Sequence, residues 1–346
     1  MSKKTTTLII RILLFGGTAV SLYFVPWIIL NAWILPLPNT VQEQLEEALD
    51  YGFEGVIVYV DEGGKKSEFY AAGWHDRDKK NPAYPEALFK IASVNKLFVA
   101  VSITKLASEG RISLDGTLDE YFPEFGGRID NSDIITIRSM VQHRSGIPNF
   151  TDEPGFWADP PDTKEGVLEL VFDKPANFEP GADYEYSNTN YFLLYELIEK
   201  ASGISQYEYM KRVIFDPLGL KNTYVSLDQI DMNELMSGYY EGIPEDMKYE
   251  NYGSMISSAE DLGIFLRALN DGSVFGPGER DIYASIYEFN HTGLIPGYQT
   301  IAEYHEDMDT VVIQFTNTTD FNGYNWNLSE VIYNRIIKIL RKQRSS

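Results

Sequence analysis

Two serine–lysine pairs with the spacing Ser-x-x-Lys lie in one apolar stretch of the chain, FKIASVNKLFVAVSITKLASEG, at residues 89–110. They are Ser93–Lys96 and Ser102–Lys105. On a helix, residues three apart lie on the same face, so a neutral lysine amine there can take the proton of the serine hydroxyl. Losing that proton turns a weak nucleophile into an effective one. A chain of this length is expected to contain about one such spacing by chance, so the motif alone is weak evidence.

The surroundings of the two pairs differ. Ser93 is predicted to begin a buried helix over 93–110, where free backbone N–H groups and the helix dipole stabilise a developing negative charge. Lys96 lies among apolar residues, where an ammonium group without a partner or a task is costly. The alternative is a lysine whose chain reaches solvent from the helix start. Ser102 lies mid-helix, so we predict that Ser93–Lys96 is functional and that Ser102–Lys105 is a coincidence.

A second triplet offers another acid–base group. No G-x-S-x-G motif surrounds Ser93, so a histidine–aspartate arrangement of that kind is not indicated. Tyr186-Ser-Asn188 follows a Pro-Gly turn. A tyrosine with a pKa near about 10 acts as a base at neutral pH only if a cation such as Lys96 lowers that pKa. The triplet at 249–251 also matches Tyr-x-Asn, so this motif is weak in isolation.

A third motif, His291-Thr292-Gly293, precedes a predicted strand in NHTGLIPGYQT. Small residues there would let a substrate backbone approach closely. His143 and Ser145, in QHRSG, are expected to be structural, and no catalytic argument attaches to the remaining histidines.

Composition excludes several other classes of function. The 346-residue chain has a net charge of −22 and no basic patch beyond its C-terminal tail, which argues against nucleic-acid binding. Cysteine is absent, which excludes disulfides, cysteine nucleophiles and thiolate metal sites. The four histidines show no metal-ligand spacing, so we expect no metal site.

The N-terminus carries an apolar run. Basic residues up to Arg11 precede a stretch without any charged residue from 12 to 42. That pattern predicts a cytoplasmic segment at 1–11 and a transmembrane signal-anchor at 12–35, with the rest of the chain outside the cell. Trp27 and Trp33 would lie near the outer interface. A signal peptide cleaved near residue 21 and a buried helix of a soluble core are the alternatives, and retention of the segment stays open.

The remaining pattern predicts one sheet built from both ends of the chain. FEGVIVYV and SEFYAAGW, at 53–60 and 67–74, are predicted as a β-hairpin, and two more strands are predicted at 300–307 and 310–317. The middle has mainly helical periodicity, and a helix with one apolar stripe closes the chain. We predict a sheet region at about 40–92 and 250–346 and a helical region at about 93–249.

The three motifs, in their order along the chain, resemble those of the class C β-lactamase and DD-peptidase group. They are Ser93-Val-Asn-Lys96, Tyr186-Ser-Asn188 and His291-Thr-Gly293. This group lies within the serine β-lactamase and penicillin-binding protein family. ANFEPGADYEYSNTNY and GSMISSAEDLGIFLRAL also resemble that group. The resemblance covers about residues 40–340. It implies a β-lactamase/transpeptidase-like α+β fold at 40–346, an α/β sandwich with an antiparallel sheet plus an all-helical region, with the active site between them.

The resemblance also implies roles for individual residues. Ser93 would be the acylated nucleophile, Lys96 the amine that helps to activate it, and Tyr186 the general base that later activates the deacylating acceptor. Asn188 would hydrogen-bond the substrate amide or the lysine. Which of Lys96 and Tyr186 accepts the proton during acylation is left open, because coupled groups share their protons.

The third motif would bind substrate. His291 stands where class C β-lactamases carry lysine, Thr292 would contact a substrate carboxylate, and the N–H groups of Ser93 and Leu294 would form an oxyanion hole. Asn290 replaces a glycine that is common in the family, and the segment before this motif is short. Both departures bear on substrate range.

We expect a membrane-anchored, extracytoplasmic serine hydrolase with an acyl-enzyme mechanism, acting on D-alanyl amides or esters of the cell wall. Such a protein would resemble a penicillin-binding protein or a DD-carboxypeptidase and would need no metal or organic cofactor. A class C-type β-lactamase and a carboxylesterase are alternatives of the same chemical class. A membrane-tethered binding or regulatory protein on a non-catalytic hydrolase scaffold is the alternative of another class. The physiological substrate and the oligomeric state stay open.

Overall fold

The strands form one large antiparallel sheet and two small sheets. In the computed structural model, which describes residues 3–344, they are β1 (Gly55–Glu62), β2 (Glu68–Asp76), β3 (Asn81–Pro82), β4 (Phe89–Lys90), β5 (Thr223–Tyr224), β6 (Tyr239–Tyr240), β7 (Ile256–Ser257), β8 (His291–Ile295), β9 (Tyr298–His305), β10 (Thr310–Thr316) and β11 (Thr318–Thr319). The large sheet has the strand order β3-β2-β1-β10-β9-β8. Its two central strands, β1 and β10, are antiparallel, with Val56 opposite Thr316. The predicted hairpin and the sheet built from both chain ends are confirmed.

The α-helices include some that pack on either face of this sheet. They are α1 (Lys3–Tyr23), α2 (Trp27–Ile34), α3 (Val41–Leu49), α4 (Asn95–Ser108), α5 (Leu118–Tyr121), α6 (Ile137–Val141), α7 (Lys164–Glu169), α8 (Asn188–Ser202), α9 (Gln206–Met210), α10 (Asp216–Leu218), α11 (Ala259–Asp271), α12 (Glu279–Ala284) and α13 (Asn325–Arg344). Strand β1 is buried on both faces: Val56, Val58 and Val60 belong to the core with α3 and α13, whereas Ile57 and Tyr59 belong to the core with α11 and the helical region.

Helix α4 is buried nearly all round, as its lack of charge between the two lysines predicted. Phe98 stacks on Phe265 of α11 with ring centroids 3.7 Å apart. Ser102 donates to the carbonyl of Phe98 at 2.8 Å, and Lys105 forms an ion pair with Glu279 at 2.9 Å. Ser102 and Lys105 therefore have structural partners of their own, in agreement with the prediction that their spacing is a coincidence.

One expectation needs correction. The region at 93–249 is not all-helical, because β5 pairs with β7 and β6 pairs in parallel with β11. Helices α11 and α12 lie in the predicted sheet region, which agrees with the expected α/β sandwich. Strands of two residues are too short to show an alternating pattern, so the sequence carries no periodic signal for them.

The apolar N-terminal run forms two helices, where one helix over 12–35 was predicted. Pro26 has no N–H to donate to a helical hydrogen bond, and the helix is interrupted between Tyr23 and Trp27. The segment Thr5–Tyr23 is long and apolar enough to cross a bilayer, and none of its most apolar window is buried. Helix α2 instead packs on α13. Within the predicted cytoplasmic segment, residues 1 and 2 lie outside the described part of the chain.

Candidate active site

Ser93, the predicted nucleophile, lies on a tight turn at the start of α4. Ser93 is the middle residue of a 3-10 turn, Ala92–Val94, that leads directly into the helix. Ala92 has a φ of +49°, a conformation that costs a non-glycine residue about 1–3 kcal/mol unless its surroundings hold it. Its N–H donates to the Ser254 hydroxyl at 2.8 Å. Ser254 therefore helps to hold the turn that presents Ser93.

Strand β8 supports the same turn from the other side. A Cβ atom added to Gly293 would lie 2.5 Å from the carbonyl oxygen of Ile91 and 3.1 Å from the Ser93 nitrogen. Only glycine fits so close a backbone approach. The small residue of the third motif was predicted to admit a substrate backbone, but the close neighbour of Gly293 is the nucleophile turn itself.

Four of the predicted residues meet within hydrogen-bonding distance. The Ser93 Oγ accepts a hydrogen bond from the Tyr186 hydroxyl at 2.8 Å and lies 3.2 Å from Lys96 Nζ. Lys96 Nζ also donates to Asn188 Oδ1 at 2.9 Å. The first and second motifs, more than ninety residues apart in sequence, therefore form one cluster around the serine oxygen.

Burial sets the protonation of Lys96. Its amine contacts a hydroxyl, an amide oxygen and the faces of two aromatic rings, Tyr186 at 4.9 Å and Tyr191 at 5.5 Å. None of these partners carries a full negative charge, so desolvation is not offset by an ion pair. Burial therefore lowers the pKa of Lys96 to about 7. A large fraction of this lysine is an uncharged amine at neutral pH.

Tyr186 is held as a neutral phenol. Burial raises its pKa above the usual value for tyrosine, and the hydrogen bond with Ser93 offsets only part of that shift. Its ring stacks on the His143 imidazole with centroids 4.4 Å apart. His143 Nδ1 accepts a hydrogen bond from the Ser187 N–H at 3.1 Å, and burial lowers the pKa of His143 to about 3. This neutral histidine positions Tyr186.

Asn188 is oriented by residues that no motif indicated. Its N–H donates to Asn149 Oδ1 at 3.0 Å, and its side-chain Nδ2 donates to Thr151 Oγ1 at 3.0 Å. These contacts turn the amide oxygen towards Lys96. Ser145 donates to Asn190 Oδ1 at 2.6 Å, which agrees with the structural role expected for it.

The third motif lies on the outer strand of the sheet, and its histidine is uncharged. His291 Nδ1 lies 2.5 Å from the Thr292 carbonyl oxygen, and Nε2 lies 2.8 Å from the Tyr287 hydroxyl. A carbonyl oxygen only accepts, so Nδ1 carries the hydrogen and Nε2 accepts from Tyr287. Burial lowers the pKa of His291 to about 4, with a smaller contribution from Lys96. The motif therefore presents a neutral imidazole at neutral pH.

Thr292 and Leu294 follow on the same strand. Both are half-buried, and they pair with Ile301 and Gln299 of β9. Because β8 is an edge strand, its other side faces away from the ladder. The carboxylate contact expected of Thr292 and the oxyanion-hole role expected of Ser93 and Leu294 stay predictions.

A model of the Beta-lactamase family matches residues 37–285. The chain belongs to that family. The matched segment contains the first two motifs, and the third motif lies beyond its end.

Individual relatives agree with this assignment. The chain is 26% identical to penicillin-binding protein 4* of Bacillus subtilis over 337 residues, covering 83% of this chain and 72% of that protein. Its fold is similar to that of D-amino acid amidase from Ochrobactrum anthropi, solved in complex with D-phenylalanine, with a TM-score of 0.77 at 22% identity over 88% of this chain and 99% of that one. A class C β-lactamase from Rhodobacter sphaeroides gives a TM-score of 0.67 at 20% identity over 88% of this chain and 100% of that one.

The family and the fold together make this chain a serine hydrolase of the β-lactamase and penicillin-binding protein family. The predicted α+β class is confirmed. The roles of individual residues are inferences from the geometry described above.

Gly293→Ala is predicted to impair catalysis. The added methyl group would push the turn that carries Ser93, and misplacement of a nucleophile by a fraction of an ångström costs roughly 10- to 100-fold in kcat/KM. The rate is measured with a chromogenic D-alanyl ester. Gly276→Ala is the matched control, because its new Cβ would make only ordinary contact, 3.4 Å from Glu279. Full activity in Gly293→Ala would contradict the supporting role of β8.

Proposed function

We propose that this protein is a membrane-anchored, extracytoplasmic serine hydrolase that forms an acyl-enzyme on Ser93 and acts on D-alanyl amides or esters of the cell wall. One observation carries the chemical part of the proposal. The Ser93 oxygen lies within hydrogen-bonding distance of both a buried lysine amine, whose pKa burial lowers to about 7, and a neutral tyrosine hydroxyl. A nucleophile, a base and a proton donor are therefore already adjacent.

Lys96 is the base for acylation in this proposal. Its amine takes the proton from Ser93 Oγ while Oγ forms a bond to the substrate carbonyl carbon. As the tetrahedral intermediate breaks its bond to the leaving amine or alcohol, Tyr186 donates the proton that the leaving group needs. The Lys96 ammonium returns a proton to Tyr186. Water then hydrolyses the acyl-enzyme by the same transfers in reverse.

The third motif favours substrates whose group next to His291 carries no charge. A lysine at this place would attract a free carboxylate, whereas neutral His291 offers no net charge. Esters and amides fit such a site better than peptides that end in a carboxylate. The similarity of the fold to an amidase for D-amino acids supports a D-configured acyl group. A class C-type β-lactamase and a carboxylesterase are the competing activities.

The anchor in this proposal is the helix Thr5–Tyr23. Its 19 residues rise about 28 Å, close to the roughly 30 Å of a bilayer core. Arg11 lies within that length, so its side chain must extend to the cytoplasmic headgroups. Basic residues on the N-terminal side support a cytoplasmic N-terminus and an external catalytic domain.

A fluorescent penicillin is expected to label the full-length protein in detergent at Ser93. We expect an adduct of one penicillin by intact mass that persists for minutes, and no adduct in Ser93→Ala. Ser102→Ala is the matched control, since Ser102 only caps a carbonyl within α4, and it should be labelled like the wild type. Turnover without an adduct would favour the β-lactamase. No reaction with penicillin or with D-alanyl esters, in folded protein, would contradict the proposal.

The acylation rate constant is expected to depend on pH through Lys96. Protonation of the amine below its pKa of about 7 removes the base, so the rate should fall about tenfold per pH unit below 7 and level off above it. Stopped-flow measurement of ester acylation tests this. Tyr186→Phe should retain the same pH dependence at a lower rate. If that variant loses the dependence on pH while remaining folded, Tyr186 and not Lys96 is the base.

His291→Lys is expected to change substrate preference. The new ammonium should raise kcat/KM for a D-alanyl-D-alanine peptide with a free carboxylate about tenfold relative to its C-terminal amide. His291→Gln stays uncharged and should leave that ratio unchanged. Equal effects of both variants on both substrates would show that charge at this position does not set the preference.

A further inference from the structure

The break after α1 leaves α2 very close to the anchor. Only three residues separate Tyr23 from Trp27, and four backbone steps span at most about 14 Å. If Thr5–Tyr23 crosses the bilayer, as proposed above, α2 must begin at the membrane surface. Helix α2 is therefore either a flexible tether or a fixed part of the catalytic domain.

The contacts of Arg335 show that α2 is fixed. This arginine of α13 is almost fully buried, and a guanidinium has five N–H donors in a rigid plane. All five are used within one cluster. The acceptors are the carbonyl oxygens of Ala32, Leu35 and Pro36, the amide oxygen of Gln44 and the carboxylate of Glu47.

Three of these five acceptors lie at the C-terminal end of α2 or just after it. Carbonyls there have no partner within the helix and carry the negative end of its dipole, so a buried cation binds them well. Ala32, on the side of α2 that faces the domain, is fully buried. Helix α2 is thus held to the domain through the buried side chain of Ala32 and through the backbone carbonyls that Arg335 binds.

The N-terminal end of α2 lies at a cavity of mixed polarity in the domain surface. Ile28 lines this cavity of about 580 Å³ together with Ile243, Tyr324 and Leu328. Two of its large side chains are exposed, Tyr324 by 48% and Ile243 by 39%, and so is Trp27, the neighbour of Ile28 in the sequence, by 49%. We define the docking face as Trp27, Ile28, Ile243 and Tyr324.

We propose that this docking face rests on the outer leaflet of the bilayer and that Arg335 holds it there, so that the catalytic domain has one fixed orientation to the membrane. The bilayer is the surface that the docking face contacts, because only three residues lie between the end of the anchor at Tyr23 and Trp27 of the face. Aromatic rings of this kind are enriched at headgroup level. The acidic residues Glu241 and Asp320 also line the cavity, which places the face among headgroups and not in hydrocarbon.

Single cysteines test this in a chain that has none of its own. Leu13→Cys reports on the anchor, Ile243→Cys and Tyr324→Cys report on the docking face, and Lys65→Cys is the control. Lys65 follows β1 at the end opposite to Gly55, roughly 23 Å away along the strand. Each full-length variant is labelled with bimane in phosphatidylcholine–phosphatidylglycerol vesicles that carry a nitroxide either on the headgroup or deep in the acyl chain.

We expect the deep nitroxide to quench the label at 13, and the headgroup nitroxide to quench labels at 243 and 324 at least threefold more than the label at 65. Quenching at 13, with 243 and 324 no different from 65, would overturn the docking face and leave the anchor standing. No quenching at 13 would overturn the anchor, and the docking face with it.

Arg335→Gln tests the coupling. In the Tyr324→Cys chain it should reduce headgroup quenching towards the level of position 65, while the label at 13 stays quenched. Unchanged quenching at 324 would show that Arg335 does not hold the orientation. If Arg335→Gln does not fold, Trp27→Glu provides the second test, because this exposed residue can change without loss of the core. It should lower quenching at 324, and no change would count against the docking face.

Discussion

A lysine amine buried without an ionic partner is the constraint on which this structure depends. Lys96 is tolerated in the core because its pKa falls and because a hydroxyl, an amide oxygen and two aromatic rings surround it. These groups come from different parts of the chain. Helix α4 must therefore be enclosed nearly all round, and α8 must pack against it so that Asn188 reaches the amine.

The site is assembled at the contact between the sheet and the helical region. Ser254 and Gly293 hold the turn that presents Ser93, whereas Asn149 and Thr151 hold Asn188 from the helical side. The hydrogen bond between Tyr186 and Ser93 joins the two sets. Any shift of one region against the other would therefore separate the Ser93 oxygen from the Tyr186 hydroxyl.

Much of this arrangement could be predicted from local sequence. Ser93 and Lys96 follow from helical spacing, and β1 and β2 follow from apolar runs around a turn. Ser254 and Tyr287 could not be predicted, because they act only through contacts between distant segments.

The break at Pro26 was also missed. A proline inside an apolar run is compatible with a kinked membrane helix as well as with a helix end, and the packing of α2 on α13 decides between them. The sequence could indicate that the run is apolar but not where it turns back onto the domain. Likewise, Gly293 was expected to permit a close approach of substrate, which stays a prediction, whereas its contact with the turn of Ser93 was not foreseen, because spacing along the chain does not show which backbone lies opposite.

The distance in sequence between contacting segments has a consequence for biosynthesis. Strand β1 pairs with β10, which lies some 260 residues later in the sequence. The carbonyl of Pro36 accepts a hydrogen bond from Arg335, which lies 299 residues later. During synthesis α1 and α2 emerge from the ribosome long before α13. Strand β1 can form its hairpin with β2 early, but its other edge must stay unpaired, and protected from aggregation, until β10 has emerged. Closure of the sheet and packing of α2 on α13 therefore come late in folding.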